Sequence, residues 1–303
     1  MEFDAVLIAG PTASGKSAAA LELAEDTGGV VVNADSMQVY REAPILTAQP
    51  TAADRARAPH LLYGHVSARQ AYSVARWRDD AANALAEAAA MGRMPIFVGG
   101  TGLYFTVLTD GLADIPQTPD EVRDQARALL DDIGVEALHA RLMERDPLTA
   151  SRLRPSDPQR VLRAYEVFES TGRSLADWQN RPAEPVLKGA RLACFVLNPP
   201  REARRARIAQ RFETMLDAGG LEEARGLDGL DPALPASKLL GLRPLQALAR
   251  GTLTRAEALD GAITATRQFA KRQMTWFRHR MPHYIWFDPC VSNLITQFRH
   301  ISA

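Results

Sequence analysis

Residues 5–23 restrict what this chain can fold into more tightly than any other stretch. An apolar run, Ala5-Val6-Leu7-Ile8-Ala9, leads into Gly10-Pro11-Thr12-Ala13-Ser14-Gly15-Lys16-Ser17, and a helix-forming segment, Ala18-Ala19-Ala20-Leu21-Glu22-Leu23, follows. The pattern G-x-x-x-x-G-K-[ST] between a strand and a helix is that of a phosphate-binding loop. Its glycines let the backbone turn tightly, so successive N–H groups converge on one anion. The helix that starts there adds the positive end of its dipole. Lys16 supplies a mobile positive charge and Ser17 a hydroxyl for Mg2+. The chain has only four lysines, Lys16, Lys188, Lys238 and Lys271, so a lysine at this place is no accident of abundance. The loop predicts binding of a di- or triphosphate, but not what is done with it.

Four further apolar segments, residues 30–32, 96–98, 192–197 and 284–287, read as buried strands separated by helical patterns such as 74–91. Strands alternating with helices predict an α/β fold, a parallel sheet covered by helices on both faces. Sites in such sheets gather at the carboxyl ends of strands. Polar motifs stand there: the phosphate loop after the first strand, Asn33-Ala34-Asp35-Ser36 after the second, Gly99-Gly100-Thr101-Gly102 after the third. From 115 to 189 the pattern changes. Pro116 and Pro119 break the chain, and 120–145 reads as an amphipathic helix with Val122, Leu129, Leu130, Leu138 and Leu142 apolar. A second helix runs from Pro158 to Gly172, and Pro182 and Pro185 close the segment. It reads as a helical insertion, 115–189, in a core built from 1–114 and 190–303.

Composition narrows the class. Cys194, Cys290 and the scattered histidines spell neither a disulfide framework nor a zinc site. No apolar run approaches the ~20 residues that span a bilayer. Glu2 and Asp4 flank the first strand, where a secretory leader would be basic and then apolar. A cytoplasmic protein with no membrane partner is expected. The net charge is zero, yet residues 1–150 hold 12 Lys and Arg against 21 Asp and Glu, and residues 151–303 hold 24 against 15. Three basic runs lie in the second half. They are Arg160 and Arg163 beside Gln159, then Arg201, Arg204, Arg205, Arg207 and Arg211, then Arg267, Lys271, Arg272, Arg278 and Arg280 with Trp276 and Phe277 between them. Each alone fits a solvated helix face; together they fit a polyanion, with the aromatics available to unstacked bases.

Asp35 has three readings at this stage: Mg2+ ligand, general base toward a nucleophile, or N-cap of a short helix from Ser36. The turn at Gly99–Thr101 supplies exposed N–H groups and a hydroxyl beside it.

These residues, with Ser36-Met37-Gln38-Val39-Tyr40-Arg41, Ala58-Pro59-His60-Leu61, Leu103-Tyr104, Asp157-Pro158-Gln159-Arg160-Val161-Leu162-Arg163, Glu166-Val167, Thr171-Gly172 and Lys271-Arg272-Gln273 to Thr275-Trp276-Phe277-Arg278, resemble bacterial tRNA dimethylallyltransferases in order along essentially the whole chain. The resemblance implies a monomeric, magnesium-dependent prenyltransferase. It would move the dimethylallyl group of dimethylallyl diphosphate to the exocyclic N6 amine of the adenosine 3′ of the tRNA anticodon. Gly10 to Ser17 would then hold the donor's diphosphate, Lys16 would neutralise it, and Ser17 would take the metal. Asp35 would accept the amine proton and Thr101 would contact the nucleotide. Asp35, Ser36, Met37, Gln38, Arg123, Gln159, Arg160, Val161, Leu162, Arg163, Leu240, Gly241, Leu242, Arg243, Pro244 and Leu245 match segments that touch tRNA. Four residues depart from the pattern: Leu46 and Gln49 where Gly and Lys are usual, and Leu242 and Pro244 after Gly241. Two other readings suit the loop, a kinase acting on a small molecule or nucleotide with ATP, and an ATP-gated RNA-binding protein. Transfer of label from the prenyl donor or from ATP to tRNA separates the three.

Overall fold

The computed structural model describes residues 2–181 and 183–302, so the expected break at Pro182 lies outside the described residues. The chain folds as two compact units, one running to Leu108 and resuming at Val186, the other Thr109–Pro185.

In the first unit six strands form one parallel sheet: β1 (Ala5–Ala9), β2 (Val30–Asn33), β3 (His60–Leu61), β4 (Pro95–Gly99), β5 (Leu192–Leu197) and β6 (Ile285–Phe287), in the order β3-β2-β4-β1-β5-β6. β1 lies at the centre, registered on β4 (Ile8 opposite Val98) and on β5 (Ile8 opposite Phe195). All its residues are buried, as a strand covered on both faces requires. Alternation sends Val6 and Ile8 to one face, where they pack with Leu21, Leu23, Phe195 and Phe298 from the helices Lys16–Thr27 and Leu294–Ile301 and from β5. The other face meets helices Val74–Ala90 and Gly102–Thr109, whose Trp77 and Tyr104 stack at 3.9 Å between ring centroids. Trp77 is fully buried, and its Nε1 donates to Asn33 O at the end of β2. β3 is a strand the sequence pattern did not reveal: two half-buried residues offer no apolar run to detect.

In the second unit helices Asp120–Arg145 and Pro158–Thr171 pack through Leu138, Leu142, Val161, Ala164 and Val167. The first is broken at Gly134, which adopts φ 78°, ψ 168°, a conformation that breaks helical hydrogen bonding and suits glycine alone. The second starts on Asp157, whose side chain accepts from Arg160 N, and stops at Gly172 with φ 66°. No strand occurs among the described residues of this unit. Ala183 N donates to Leu112 O and closes the unit at its base. Among the described residues no helix is long and apolar enough to cross a membrane.

Candidate active site

The phosphate loop follows β1 directly. Gly15 turns with φ 88° and precedes the helix Lys16–Thr27, so the first N–H groups of that helix are left without intrahelical partners. Ala13 sits at φ 61°, a costly conformation for a residue with a Cβ, held here at a loop whose task is to bend. Ser14 is fully buried, and its Oγ has no hydrogen-bond partner among the described residues. That hydroxyl, like the loop N–H groups, is available to the oxygens of a bound anion.

The loop lines a cavity of about 170 Å3 together with Asp35, Arg211 and an apolar wall that includes Leu46, Phe212, Leu239, Leu240 and Phe269. Lys16 is 9% exposed, and burial pulls its ammonium down to about 8, with the Asp35 carboxylate working against that drop and Arg211 adding to it. Arg211 is likewise lowered by burial and supported by Asp35. Two desolvated cations thus face a single carboxylate, and the cavity has positive charge to spare for an anion.

Asp35 lies just past β2. Its backbone N–H is held by Asn33 Oδ1 at 2.9 Å, and its Oδ1 accepts from Met37 N at 3.0 Å. The capping reading is corrected: residues 36–39 form a turn and not a helix, the Met37 N bond closes that turn on Oδ1, and Oδ2 lies beside Gly100. Thr101 Oγ1 accepts from Ser36 N at 2.9 Å and donates to Ser36 Oγ at 3.1 Å, tying the turn after β4 to the segment carrying Asp35. Gly100 is required for closeness: a Cβ there would overlap the Gln273 amide and come within 3.0 Å of Asp35 Oδ2. Ser17 and Asp35 border the same cavity and offer hard oxygen ligands, the type Mg2+ takes beside phosphate oxygens and water. Among the described residues no cluster of three His, Cys, Asp or Glu side chains is placed to hold a metal by itself.

Two residues join the site that sequence reasoning did not put there. Arg211, read with its basic run as facing a polyanion, instead reaches Thr12 Oγ1 at 3.4 Å and Leu46 O at 3.5 Å. It shares a helix with buried Ile208, Phe212 and Met215, and adjacency to Phe212 on that apolar stripe was the available signal. Gln273 is buried on helix Arg255–Arg280; its Oε1 accepts from Thr12 N and its Nε2 donates to Gly100 O, both at 2.9 Å. A glutamine among Ala270, Met274 and Phe277, all buried at helical spacing, is the signal that marks it.

The aromatic part of the basic pattern is corrected at one residue. Phe277 is fully buried core and offers no stacking face, while half-buried Trp276 packs one edge of its indole on Gly102 and carries Arg280 over its ring at 5.8 Å. The cations remain: Arg201, Arg204, Arg205, Arg267, Lys271 and Arg278 surround a cleft of about 810 Å3. None forms an ion pair among the described residues, and Arg204 is lowered by burial and then by its neighbours Arg201, Arg278 and Arg205.

Of the other expected contact residues, Ser36 and Met37 are half-buried beside Asp35, and Gln38 is buried with its amide donating to Thr47 O and Ala48 O. Leu240 lines the cavity, Gly241 starts the helix Leu242–Ala249 with φ 82°, and Arg243 is exposed. Leu242 and Leu245 are buried, so their side chains pack rather than touch a partner, and Pro244 abuts Gly261. In the second unit Arg160 is exposed and Val161 is fully buried. Arg163 donates to Thr118 Oγ1 and pairs with Glu166 at 3.7 Å, while Arg123 pairs with Asp120. Burial raises the Glu166 carboxyl, and Arg163, Arg123 and Arg127 oppose that rise.

Comparison with known proteins gives consistent results. Residues 38–280 match the family described as IPP transferase, and residues 3–58 match isopentenyl transferase. The tRNA dimethylallyltransferase of Nitrobacter hamburgensis is 54% identical over 94% of this chain and 91% of its own length. That of Azorhizobium caulinodans is 53% identical, over 94% and 92%. Among solved structures, the tRNA isopentenylpyrophosphate transferase of Bacillus halodurans is similar with a TM-score of 0.67 and 33% identity, covering 99% of this chain and 94% of that one. A eukaryotic dimethylallyltransferase solved while acting on tRNA is similar with a TM-score of 0.72 and 27% identity, over 90% and 69%.

Proposed function

The chain belongs to the IPP transferase family and is a tRNA dimethylallyltransferase, and from that premise we propose how its own residues do the work. The donor is dimethylallyl diphosphate and the acceptor is N6 of adenosine 37 in tRNA. The observation that carries this reading is the cavity in which buried Lys16, half-buried Arg211 and a phosphate loop share space with one carboxylate and an apolar wall. A diphosphate answers the excess positive charge, and a five-carbon tail answers the wall. A kinase would need the same loop, but the relatives named above are prenyltransferases, and no observation favours phosphoryl transfer.

The N6 amine attacks C1 of the donor, the C1–O bond breaks, and its electron pair leaves with the diphosphate. An aromatic amine is a weak nucleophile, so its proton must be taken as the new bond forms. Asp35 Oδ2 accepts it, while Oδ1 stays fixed by Met37 N. Lys16, Arg211 and the loop N–H groups stabilise charge on the leaving diphosphate. Ser17, with phosphate oxygens and water, would hold Mg2+, which when bound offsets part of that charge. Thr101, bonded to Ser36, orients the acceptor nucleotide beside Asp35. The base must leave its stack to reach this point. The cleft of unpaired cations receives the phosphodiester backbone. Every residue named here comes from one chain, so the reading needs no second copy.

Incubation with unmodified tRNA, Mg2+ and labelled dimethylallyl diphosphate should give N6-(dimethylallyl)adenosine; label transfer from γ-labelled ATP without prenylation would sink the proposal. In Asp35→Ala, turnover should fall at least ~100-fold, within the range that general-base loss costs. Donor affinity should change little, and a matching loss of Mg2+-dependent donor binding would make Asp35 a metal ligand instead.

A further inference from the structure

We infer that Glu223, which lines no part of the cavity, is a positioning residue for the diphosphate: it fixes the turn that anchors Arg211. The inference rests on the donor reading above. The turn is the four-residue helix Pro44–Thr47, too short to be stable by its own hydrogen bonds. Pro44 has no N–H to offer, and the N–H groups of Ile45 and Leu46 have no partner within so short a helix. Glu223, on the helix Gly220–Gly226, accepts both: Ile45 N to Oε1 at 2.8 Å and Leu46 N to Oε2 at 2.9 Å. Burial raises the Glu223 carboxyl and these two bonds pull it back down. Its charge is thus spent on two backbone donors.

At the other end of the turn Gln38 Nε2 donates to Thr47 O and Ala48 O at 3.0 and 2.8 Å. Between the two clamps the Leu46 carbonyl accepts from Arg211 Nη2, and Arg211 Nη1 reaches Thr12 Oγ1 in the phosphate loop. The guanidinium therefore hangs between the loop and the turn. Its place over the diphosphate depends on both supports, and one of them is set by Glu223. Packing reinforces the arrangement. Leu46 Cδ2 lies 3.5 Å from where a Cβ on Gly220 would stand, an ordinary van der Waals separation, so the turn and the helix carrying Glu223 are packed as well as bonded.

The decisive measurement is inorganic diphosphate binding to the full chain by calorimetry, alongside steady-state kinetics with donor and tRNA. Glu223→Ala should raise the diphosphate Kd and the donor KM together by about tenfold, the scale of one lost charge-assisted hydrogen bond. The tRNA KM should stay near wild type, and any fall in kcat should accompany the rise in diphosphate Kd, because Arg211 also stabilises the leaving group. Glu223→Gln keeps the Oε1 acceptor and should fall between. A loss confined to kcat, with Kd and KM unmoved, would mean only fewer folded molecules and would overturn the inference. If Glu223→Ala does not fold, Glu223→Gln decides alone, and a wild-type diphosphate Kd in that variant overturns the inference. A wild-type chain that binds diphosphate but prenylates nothing defeats the donor reading and leaves this test intact. A wild-type chain that binds no diphosphate overturns both.

Discussion

Lys16 is held protonated at neutral pH in a place that disfavours its charge, and this has consequences for stability and for rate. Its ammonium is pulled from an ordinary 10.5 to about 8 by burial. Below pH 8 both the folded and the unfolded chain carry the proton, and the folded state bears the full cost. Between about 8 and 10.5 the folded state loses the proton first, the unfolded state binds more, and stability rises with pH. Lys16→Met should therefore raise the stability of the ligand-free protein at pH 7 by up to about 3 kcal/mol, the shift valued at ~1.4 kcal/mol per unit. The gain should shrink toward pH 10, and diphosphate binding should be lost; denaturant titration at several pH values measures both. Asp35 keeps Arg211 as its counter-charge in that variant. The same group predicts a limb in the rate. Because kcat/KM for the donor follows ionisations of the free enzyme, it should fall above pH about 8 as Lys16 loses its charge. Lys16→Arg should remove that limb from the accessible range, whatever activity it retains. A limb unchanged in Lys16→Arg would assign it to another group.

Elements set how closely these residues can meet, and glycine marks the tightest approach. Gly100 admits Gln273 from helix Arg255–Arg280 and Asp35 from the end of β2 at one point. Gly100→Ala would displace the Gln273 amide, loosen Thr12 N and crowd Asp35 Oδ2. Turnover should drop roughly 100-fold, as a ~1 Å misplacement of catalytic groups costs, and thermal unfolding should show a loss of about 1–3 kcal/mol. Gly226→Ala is the matched control: nothing lies within 4 Å of its Cβ position and its φ is unexceptional, so activity and stability should hold. At this scale the sequence was most legible where chemistry and periodicity coincide. The phosphate loop, the ends of β2 and β4, and the two long helices of 109–185 all follow from runs and caps visible in the chain. β3 was not legible, because a two-residue edge strand is defined by its neighbour, Val31 opposite His60, and not by its own composition. The break at Gly134 was missed for a related reason, since the apolar spacing continues across it. Arg211 and Gln273 were hidden by tertiary context. A cation in a basic run and an amide in a long helix acquire their roles only when the phosphate loop is brought against them.

Across the whole molecule the charge is divided between the two halves of the sequence, and the first unit shows how that division is spent. Many surface arginines are paired, as in Arg57 with Glu25 and Arg250 with Asp228. The cations around the cleft of Arg204 and Lys271 are not, and mutual repulsion there persists in the free protein. Such a cluster gains most from a ligand carrying evenly spaced phosphates, because each contact also releases counterions. Arg204→Gln with Lys271→Gln should therefore weaken tRNA binding at every salt concentration. The slope of log Kd against log salt should flatten by ~0.7–0.9 for each phosphate contact removed. Donor KM should not move, since neither residue borders the donor cavity. A weaker tRNA affinity with an unaltered salt slope would mean that the two residues shape the fold and do not meet the phosphodiester backbone.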